Sequence, residues 1–148
     1  MRDKWLIAGG WLSAAAALLH IAVIAGGPDW YRFFGAGEGM ARAAEQGSWV
    51  PVVTTLGIAT ILAIWSAYAF SGAGLIPRLP LIRTGLVTIS AIYLARGLIL
   101  FPILVLKPEL INAFAVWSSL IVLAYGVAYA FGTWRSWRHL GKSGQRPS

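Results

Sequence analysis

The sequence predicts an all-α membrane protein whose four transmembrane helices form an antiparallel bundle, with short surface helices between the first and the second. Three observations lead to this fold class. Of the 148 residues, 58% are hydrophobic and 11% are charged, whereas about a quarter of the residues in soluble domains are charged. Four apolar segments follow one another along the chain, and the Lys and Arg residues gather at their ends. Lipid must therefore solvate most of the surface of what is, by its length, a single domain.

Each apolar segment has about twenty residues or more, enough for a helix that rises about 1.5 Å per residue to cross a bilayer. The first segment could be read as a signal peptide, because Arg2 and Lys4 precede it. Its apolar stretch is longer than the roughly 7–15 residues of a signal core, and no small-residue cleavage site follows, so we expect a retained helix. The expected helices span about 5–26, 50–70, 81–104 and 110–134.

Two short connections separate the last three helices. Gly and Pro residues interrupt segment 71–80, and segment 105–109 contains Pro108, which is expected to open the fourth helix. Short connections place consecutive helices antiparallel, so residues 1–134 are predicted to form one compact transmembrane domain. Residues 135–148 would follow it as a basic cytoplasmic tail.

The longer connection, residues 27–49, is predicted to form an external cap. Asp29 is expected to cap a short helix that carries Trp30 on its apolar side. A second short helix is predicted after the next glycines, with Glu38 and Arg42 one turn apart. Aromatic side chains of the first short helix would dip into the membrane interface.

The distribution of basic residues predicts the orientation. Eight Lys and Arg residues gather on one side of the bundle and three on the other. By the positive-inside rule the richer side is cytoplasmic, so both termini lie in the cytoplasm of a bacterial cell and the cap faces outward from its inner membrane. The eight residues are Arg2, Lys4, Arg78, Arg83, Arg135, Arg138, Lys142 and Arg146, and the three are Arg32, Arg42 and Lys107.

Composition also excludes several classes of function. The chain has no cysteine, which excludes disulfides, thiolate metal sites and cysteine nucleophiles. Its net charge of +7 does not indicate nucleic-acid binding, because the cations lie at the ends of apolar segments and form no single soluble face. The two histidines, His20 and His139, fall on opposite sides of the bundle, so we expect no metal, no haem and no other cofactor.

Arg96 stands inside the third apolar segment, in the stretch ISAIYLARGLILFPIL. A charge near the middle of a bilayer costs roughly 2.5–3.5 kcal/mol on insertion scales, so it usually has a functional reason. Tyr93 is expected on the same helix face. Two interpretations are open. Either the guanidinium extends outward to lipid phosphate, or it faces the bundle and needs a polar partner.

Three residues at a similar predicted depth could supply that partner. His20 shares a helix face with small residues, Glu38 lies between glycines in the cap, and Asn112 begins the fourth helix. Each also has an ordinary explanation: a backbone hydrogen bond for His20, an ion pair with Arg42 for Glu38, and an interhelical hydrogen bond for Asn112. No catalytic residue is assigned. The expected ligand-binding residues are Arg96, His20, Glu38, Asn112, Trp30 and Tyr93.

Two stretches, LLHIAVIAGG in the first helix and AIYLARGLI in the third, resemble sequences of small four-helix bacterial membrane proteins. The general layout is similar to that of DoxX-like proteins. The resemblance implies an inner-membrane bundle and brings no catalytic residues with it.

The expected function is to bind or pass a small or lipid-like ligand through an outward-facing polar pocket. Arg96 would attract an anionic group of the ligand, and Trp30 would shape the entrance. Two alternatives are open: an accessory subunit that docks on a larger membrane complex, or a membrane-embedded enzyme in which His20 or Glu38 transfers protons and Arg96 stabilises negative charge. The expected partners are membrane lipid, the ligand, and a second copy of the chain or a larger membrane protein.

Overall fold

The computed structural model describes residues 2–141, and within this range the chain is helical and contains no strand. Four helical segments are long and apolar enough to cross a membrane: α1, α4, the pair α5 and α6, and α7. The predicted fold class, an all-α four-helix membrane protein with short surface helices after the first span, is confirmed. The elements are α1 (Lys4–Gly26), α2 (Pro28–Phe33), α3 (Glu38–Glu45), α4 (Val50–Gly72), α5 (Ile82–Leu98), α6 (Leu100–Leu106), a 3₁₀ turn (Pro108–Leu110) and α7 (Ala113–Leu140).

The first span begins at a capping carboxylate. The Asp3 side chain accepts hydrogen bonds from the backbone N–H groups of Trp5 and Leu6, each at 3.0 Å, which satisfies two donors that the helix start leaves free. The span ends at Gly27, whose φ of 71° lies in the left-handed region that glycine adopts at little cost. Sequence therefore fixes both ends of α1 by local chemistry.

The third span is divided into α5 and α6 at Ile99. Pro102 explains the break, since proline has no N–H to donate to the carbonyl of Leu98 and its ring crowds that carbonyl. The span nevertheless continues in the same direction, and the combined segment Ile82–Leu106 has the highest mean hydropathy of the four, 2.2.

The fourth span differs from its expected bounds at both ends. Pro108 opens the 3₁₀ turn and not the helix, so the prediction that it starts the fourth helix is wrong. α7 begins at Ala113, because the Asn112 side chain accepts a hydrogen bond from the backbone N–H of Ala115 at 2.8 Å. At the other end α7 continues past Trp134 to Leu140. The first part of the expected tail is therefore helical, and the rest of it, residues 142–148, lies outside the described residues.

The four spans form an antiparallel bundle in which α1 packs mainly on α4 and α5 mainly on α7. Glycines allow the α5–α7 pair to approach closely. A β-carbon on Gly126 would lie 2.8 Å from the backbone nitrogen of Leu94, and one on Gly97 would lie 2.8 Å from the Cα of Leu123. The core near the basic end is apolar and includes Leu6 and Leu86, both fully buried.

The cap, α2 and α3, closes over the ends of α1 and α4 through a small apolar cluster. Tyr31 is 2% exposed and Ala41 is fully buried, and both pack with Val23 of α1. The Thr55 hydroxyl of α4 donates to the Tyr31 hydroxyl at 3.4 Å. The prediction that Asp29 caps α2 is wrong: Gly27 occupies the capping position and no side chain bonds the helix start.

Candidate functional site

Arg96 lies on the exposed surface of the α5–α7 pair. Its Nη1 donates one long hydrogen bond, 3.4 Å, to the hydroxyl of Ser119, which is 3% exposed. Tyr93 and Leu100, by contrast, are each 5% exposed and belong to the core side of the same span. The expectation that Tyr93 lies on the same helix face as Arg96 is therefore wrong.

His20 and Asn112 make hydrogen bonds within their own helices. Nδ1 of the part-buried His20 lies 2.7 Å from the carbonyl oxygen of Ala16, one turn earlier, which makes Nδ1 the protonated nitrogen. The Asn112 side chain serves as the cap of α7, as described above, and is exposed. His20 thus makes the backbone hydrogen bond that was its ordinary alternative, whereas Asn112 caps its own helix and does not make the interhelical hydrogen bond that was its alternative.

Glu38 belongs to an ion-pair network within the cap. One carboxylate oxygen accepts from Nε of Arg32 at 3.0 Å, and the other accepts from Nη2 of Arg32 at 3.1 Å and from Nε of Arg42 at 3.1 Å. Hydrogen bonds from Arg32 and then Arg42 lower the pKa of Glu38 to about 2, and the acidic partners in turn raise the pKa of Arg32. Arg32 also pairs with Glu45 at 2.7 Å. The predicted Glu38–Arg42 pair is confirmed, and it leaves Glu38 ionised at the surface.

The four-residue polar cluster is not formed. Within residues 2–141, no hydrogen bond or ion pair joins any two of Arg96, His20, Glu38 and Asn112. Similar depth in the membrane did not bring them together, because each group already has a partner on its own helix, on the neighbouring helix or within the cap.

Tyr93 instead takes part in a hydroxyl cluster at the centre of the bundle, which sequence analysis missed. The fully buried Ser13 hydroxyl lies 2.9 Å from the Tyr93 hydroxyl and 2.8 Å from the Tyr129 hydroxyl. Tyr129 donates its proton to the backbone carbonyl of Trp65 at 3.0 Å. The order of donors follows from this last bond. Since Tyr129 has spent its only proton, Ser13 must donate to Tyr129, and Tyr93 must donate to Ser13.

These bonds link α1, α4, α5 and α7, and each of the three hydroxyl protons has an acceptor. Aromatic rings complete the packing: Trp65 and Tyr125 lie edge-on to Tyr93, with ring centroids 4.8 and 5.5 Å away. The cluster is a structural junction with no free donor for a ligand. Tyrosines in the middle of apolar segments, away from the interfacial belts, were the signal in the sequence that could have found it.

Trp30 lies at the surface of the cap, 43% exposed, with its ring centroid 5.7 Å from that of Phe34. Phe33 is 74% exposed beside it. Two large aromatic side chains therefore project from the cap end of the bundle, where one interface of a membrane would lie.

The opposite, basic end holds two contacts that involve arginine. Arg135 of α7 lies 3.5 Å from the second carboxylate oxygen of the buried Asp3, which ties the end of α7 to the start of α1. Arg83 of α5 donates to the backbone carbonyl of Trp137 at 2.8 Å, and its guanidinium lies 4.6 Å from the centre of the Trp137 ring. Sequence analysis used these arginines only to orient the chain.

Two grooves run along the outer surface of the bundle. One, of about 410 Å³, lies between α1 and α4 and is lined mainly by small and apolar side chains such as Ala14, Ala17 and Ala63. The other, of about 440 Å³, lies between α5 and α7, on the side of Trp134 and Trp137. Both grooves open outward, toward the space that lipid occupies.

No family model, curated protein or solved structure matches this chain, so the resemblance to DoxX-like proteins stays a prediction.

Proposed function

We propose that the protein binds a small or lipid-like amphipathic ligand in the outer half of the bundle, with Arg96 as the group that anchors the anionic part of the ligand. The observation that carries the proposal is the exposed position of Arg96 within a membrane span, where its described hydrogen bond is a single long one to Ser119.

The Arg96 guanidinium has N–H groups beyond the one that bonds Ser119. A guanidinium has five N–H groups, and an arginine in hydrocarbon gains most from an anionic partner that accepts two parallel N–H hydrogen bonds, such as a carboxylate or phosphate. Arg96 stands ten residues before the end of its span at Leu106, about 15 Å at 1.5 Å per residue. An amphipathic molecule that pairs its anionic group with the guanidinium can lay its apolar part along the bundle.

We also propose in which membrane the protein lies and which end of the bundle faces the cytoplasm. The basic end, with Arg83, Arg135 and Arg138, would face the cytoplasm of a bacterial cell, and the cap would face outward from its inner membrane. Both termini would then be cytoplasmic. A ligand held at Arg96 would enter from the outer leaflet or from the side of the cap where Trp30 projects.

The ion pairs of Glu38 in the cap weaken the alternative that the protein is a membrane-embedded enzyme. An ionised carboxylate held by two arginines is a weak proton acceptor, since its pKa is lowered to about 2. Glu38 therefore supports the structure of the cap more readily than acid–base chemistry, which favours binding over catalysis.

Native mass spectrometry of protein released gently from its membrane tests the proposal. Wild type is compared with Arg96→Leu, with the charge-conserving Arg96→Lys, and with Arg138→Leu, an exposed arginine at the other end. A bound small molecule in all but Arg96→Leu supports the proposal. A bare chain in wild type, the absence of any bound molecule that is lost specifically in Arg96→Leu, or a stoichiometric partner protein contradicts it, and the last result would favour an accessory subunit.

A further inference from the structure

The groove between α5 and α7 has one apolar stripe on each wall. On α5, Val87, Ser90, Ala91 and Leu94 recur at helical spacing, and on α7 the wall is formed by Ala130, Trp134 and Trp137. Its volume is about 440 Å³ and it is open along its length to the surrounding lipid. An extended apolar chain fits such a groove better than a compact polar molecule does.

Thr133 lines the same groove and carries an unpartnered polar atom. The residue is 4% exposed, and its hydroxyl oxygen is buried with no hydrogen-bond partner among the described residues. A threonine hydroxyl inside a helix usually bonds the carbonyl four residues earlier, and a buried hydroxyl without any partner is unfavourable. A small shift of this side chain toward an acceptor in the groove would satisfy it.

Arg83 lies on the same face of α5, one turn before Val87, and places a positive charge at the end of the groove. It lies over the Trp137 ring, which is a groove wall, and its Nη2 donates to the Trp137 carbonyl at 2.8 Å. Its Nε is buried and has no hydrogen-bond partner among residues 2–141. The groove thus combines an apolar surface, an aromatic wall and a fixed guanidinium that still has N–H donors.

The positive charge at the basic end of the groove favours an anionic ligand. Arg135 is held by Asp3 at 3.5 Å, so its charge is partly compensated, whereas no carboxylate within residues 2–141 pairs with Arg83. Interfacial tryptophans beside basic side chains are typical of the level at which lipid head groups lie.

We infer that the α5–α7 groove binds one anionic phospholipid, with an acyl chain along the groove and the phosphate at Arg83. The phosphate position at Arg83 lies thirteen residues, about 20 Å, from Arg96 along α5, and the inference does not depend on the function proposed above.

Native mass spectrometry of delipidated protein in detergent, titrated with palmitoyl-oleoyl phosphatidylglycerol and separately with phosphatidylcholine of the same chains, tests the inference. Arg83→Gln should weaken phosphatidylglycerol binding about fivefold, the effect of one basic residue at a head group. Ala91→Phe should fill the groove and weaken binding about tenfold or more, as if two acyl CH₂ groups were left unburied.

Each variant has a matched control. Arg138→Gln removes an exposed charge from the same end, and Ala63→Phe fills the other groove on the α1–α4 side. Both should bind phosphatidylglycerol like wild type. Equal losses in Arg83→Gln and Arg138→Gln, unchanged binding in Ala91→Phe, or equal affinity for the two lipids would overturn the inference. If Arg83→Gln does not fold, the comparison of Ala91→Phe with Ala63→Phe decides it.

Discussion

Replacement of Ser13 with Ala should destabilise the bundle at its centre without opening a large cavity, because the β-carbon remains. The Ser13 hydroxyl makes two hydrogen bonds, to Tyr93 at 2.9 Å and to Tyr129 at 2.8 Å. Interhelical hydrogen bonds in membranes average about 0.6 kcal/mol, and a buried group that loses its partner costs roughly 1–3 kcal/mol. Together these give an expected loss of about 1–2 kcal/mol in the free energy of unfolding.

The order of donors sharpens this expectation. Tyr93 loses its acceptor in Ser13→Ala, whereas Tyr129 loses a donor and keeps its own bond to the Trp65 carbonyl. Tyr93→Phe removes only the bond to Ser13. The double variant should therefore lose less than the sum of the two single losses, by about 0.6–1 kcal/mol, the strength of the shared bond.

Reversible unfolding in mixed micelles, titrated with dodecyl sulfate and followed by circular dichroism, measures these free energies. Ser90→Ala is the matched control, since Ser90 is also buried but bonds only the Leu86 carbonyl of its own helix. It should change stability by less than about 0.5 kcal/mol. Strict additivity of Ser13→Ala and Tyr93→Phe, or equal losses in Ser13→Ala and Ser90→Ala, would refute the cluster as an interhelical junction.

Three further predictions concern the two ends and the helix contact. The pKa of Glu38 is lowered from 4.5 to about 2, so its contribution to cap stability is present above pH 4.5 and is lost as the pH falls toward 2. The protection factors of the cap amides, which correct for the intrinsic pH dependence of hydrogen exchange, should therefore fall over that window in wild type and not in Glu38→Gln. Asp3→Ala should lower stability by about 1–2 kcal/mol, because it removes the cap of α1 and the pair with Arg135, and a loss no greater than in Arg135→Gln would contradict this. Gly126→Ala should lower the free energy of unfolding by about 1–3 kcal/mol in the same assay, because the new methyl group meets the backbone of α5. Gly39→Ala, which has open space around it, is the control and should cause no such loss. Equal effects of the two variants would reject the close contact between α5 and α7.

The membrane spans were predictable because they depend on a property summed over many residues. Some twenty apolar residues in a row predict a span whatever their order, and single residues only adjust its ends. Those ends were harder to predict. Pro108 and Asn112 are both plausible helix starts, and the hydrogen bond from Ala115 to Asn112 selects the second. The break caused by Pro102 follows from the missing N–H, but sequence alone does not show whether neighbouring contacts keep such a span continuous.

The site was less predictable because depth and direction are separate quantities. Residue counting gives depth at about 1.5 Å per residue, and this is what placed the polar candidates at one level. Contact depends on rotation about each helix axis. Tyr93 and Arg96 are separated by about 60° on the helical wheel, which suffices to put one in the core and the other at the surface. A sequence pattern that is apolar on every side does not contain this information.

The placement of polar groups separates stability from binding within this bundle. The Ser13 cluster holds four spans together, and its three protons all have acceptors, so a ligand could enter the core only by breaking one of these bonds. Arg96 and Arg83 instead lie on the outside of one helix pair, Arg96 in the half of its span nearer the cap and Arg83 at the basic end, and both retain donors. Core variants should therefore lower the free energy of unfolding while a ligand still binds to the folded fraction. Variants of Arg96 should change what binds while the bundle keeps its stability, whereas Arg83→Gln should change what binds and also removes the hydrogen bond from α5 to the Trp137 carbonyl of α7. If fully folded Ser13→Ala protein does not bind the ligand, and both arginine variants still bind it, the binding site lies in the core and this assignment is reversed.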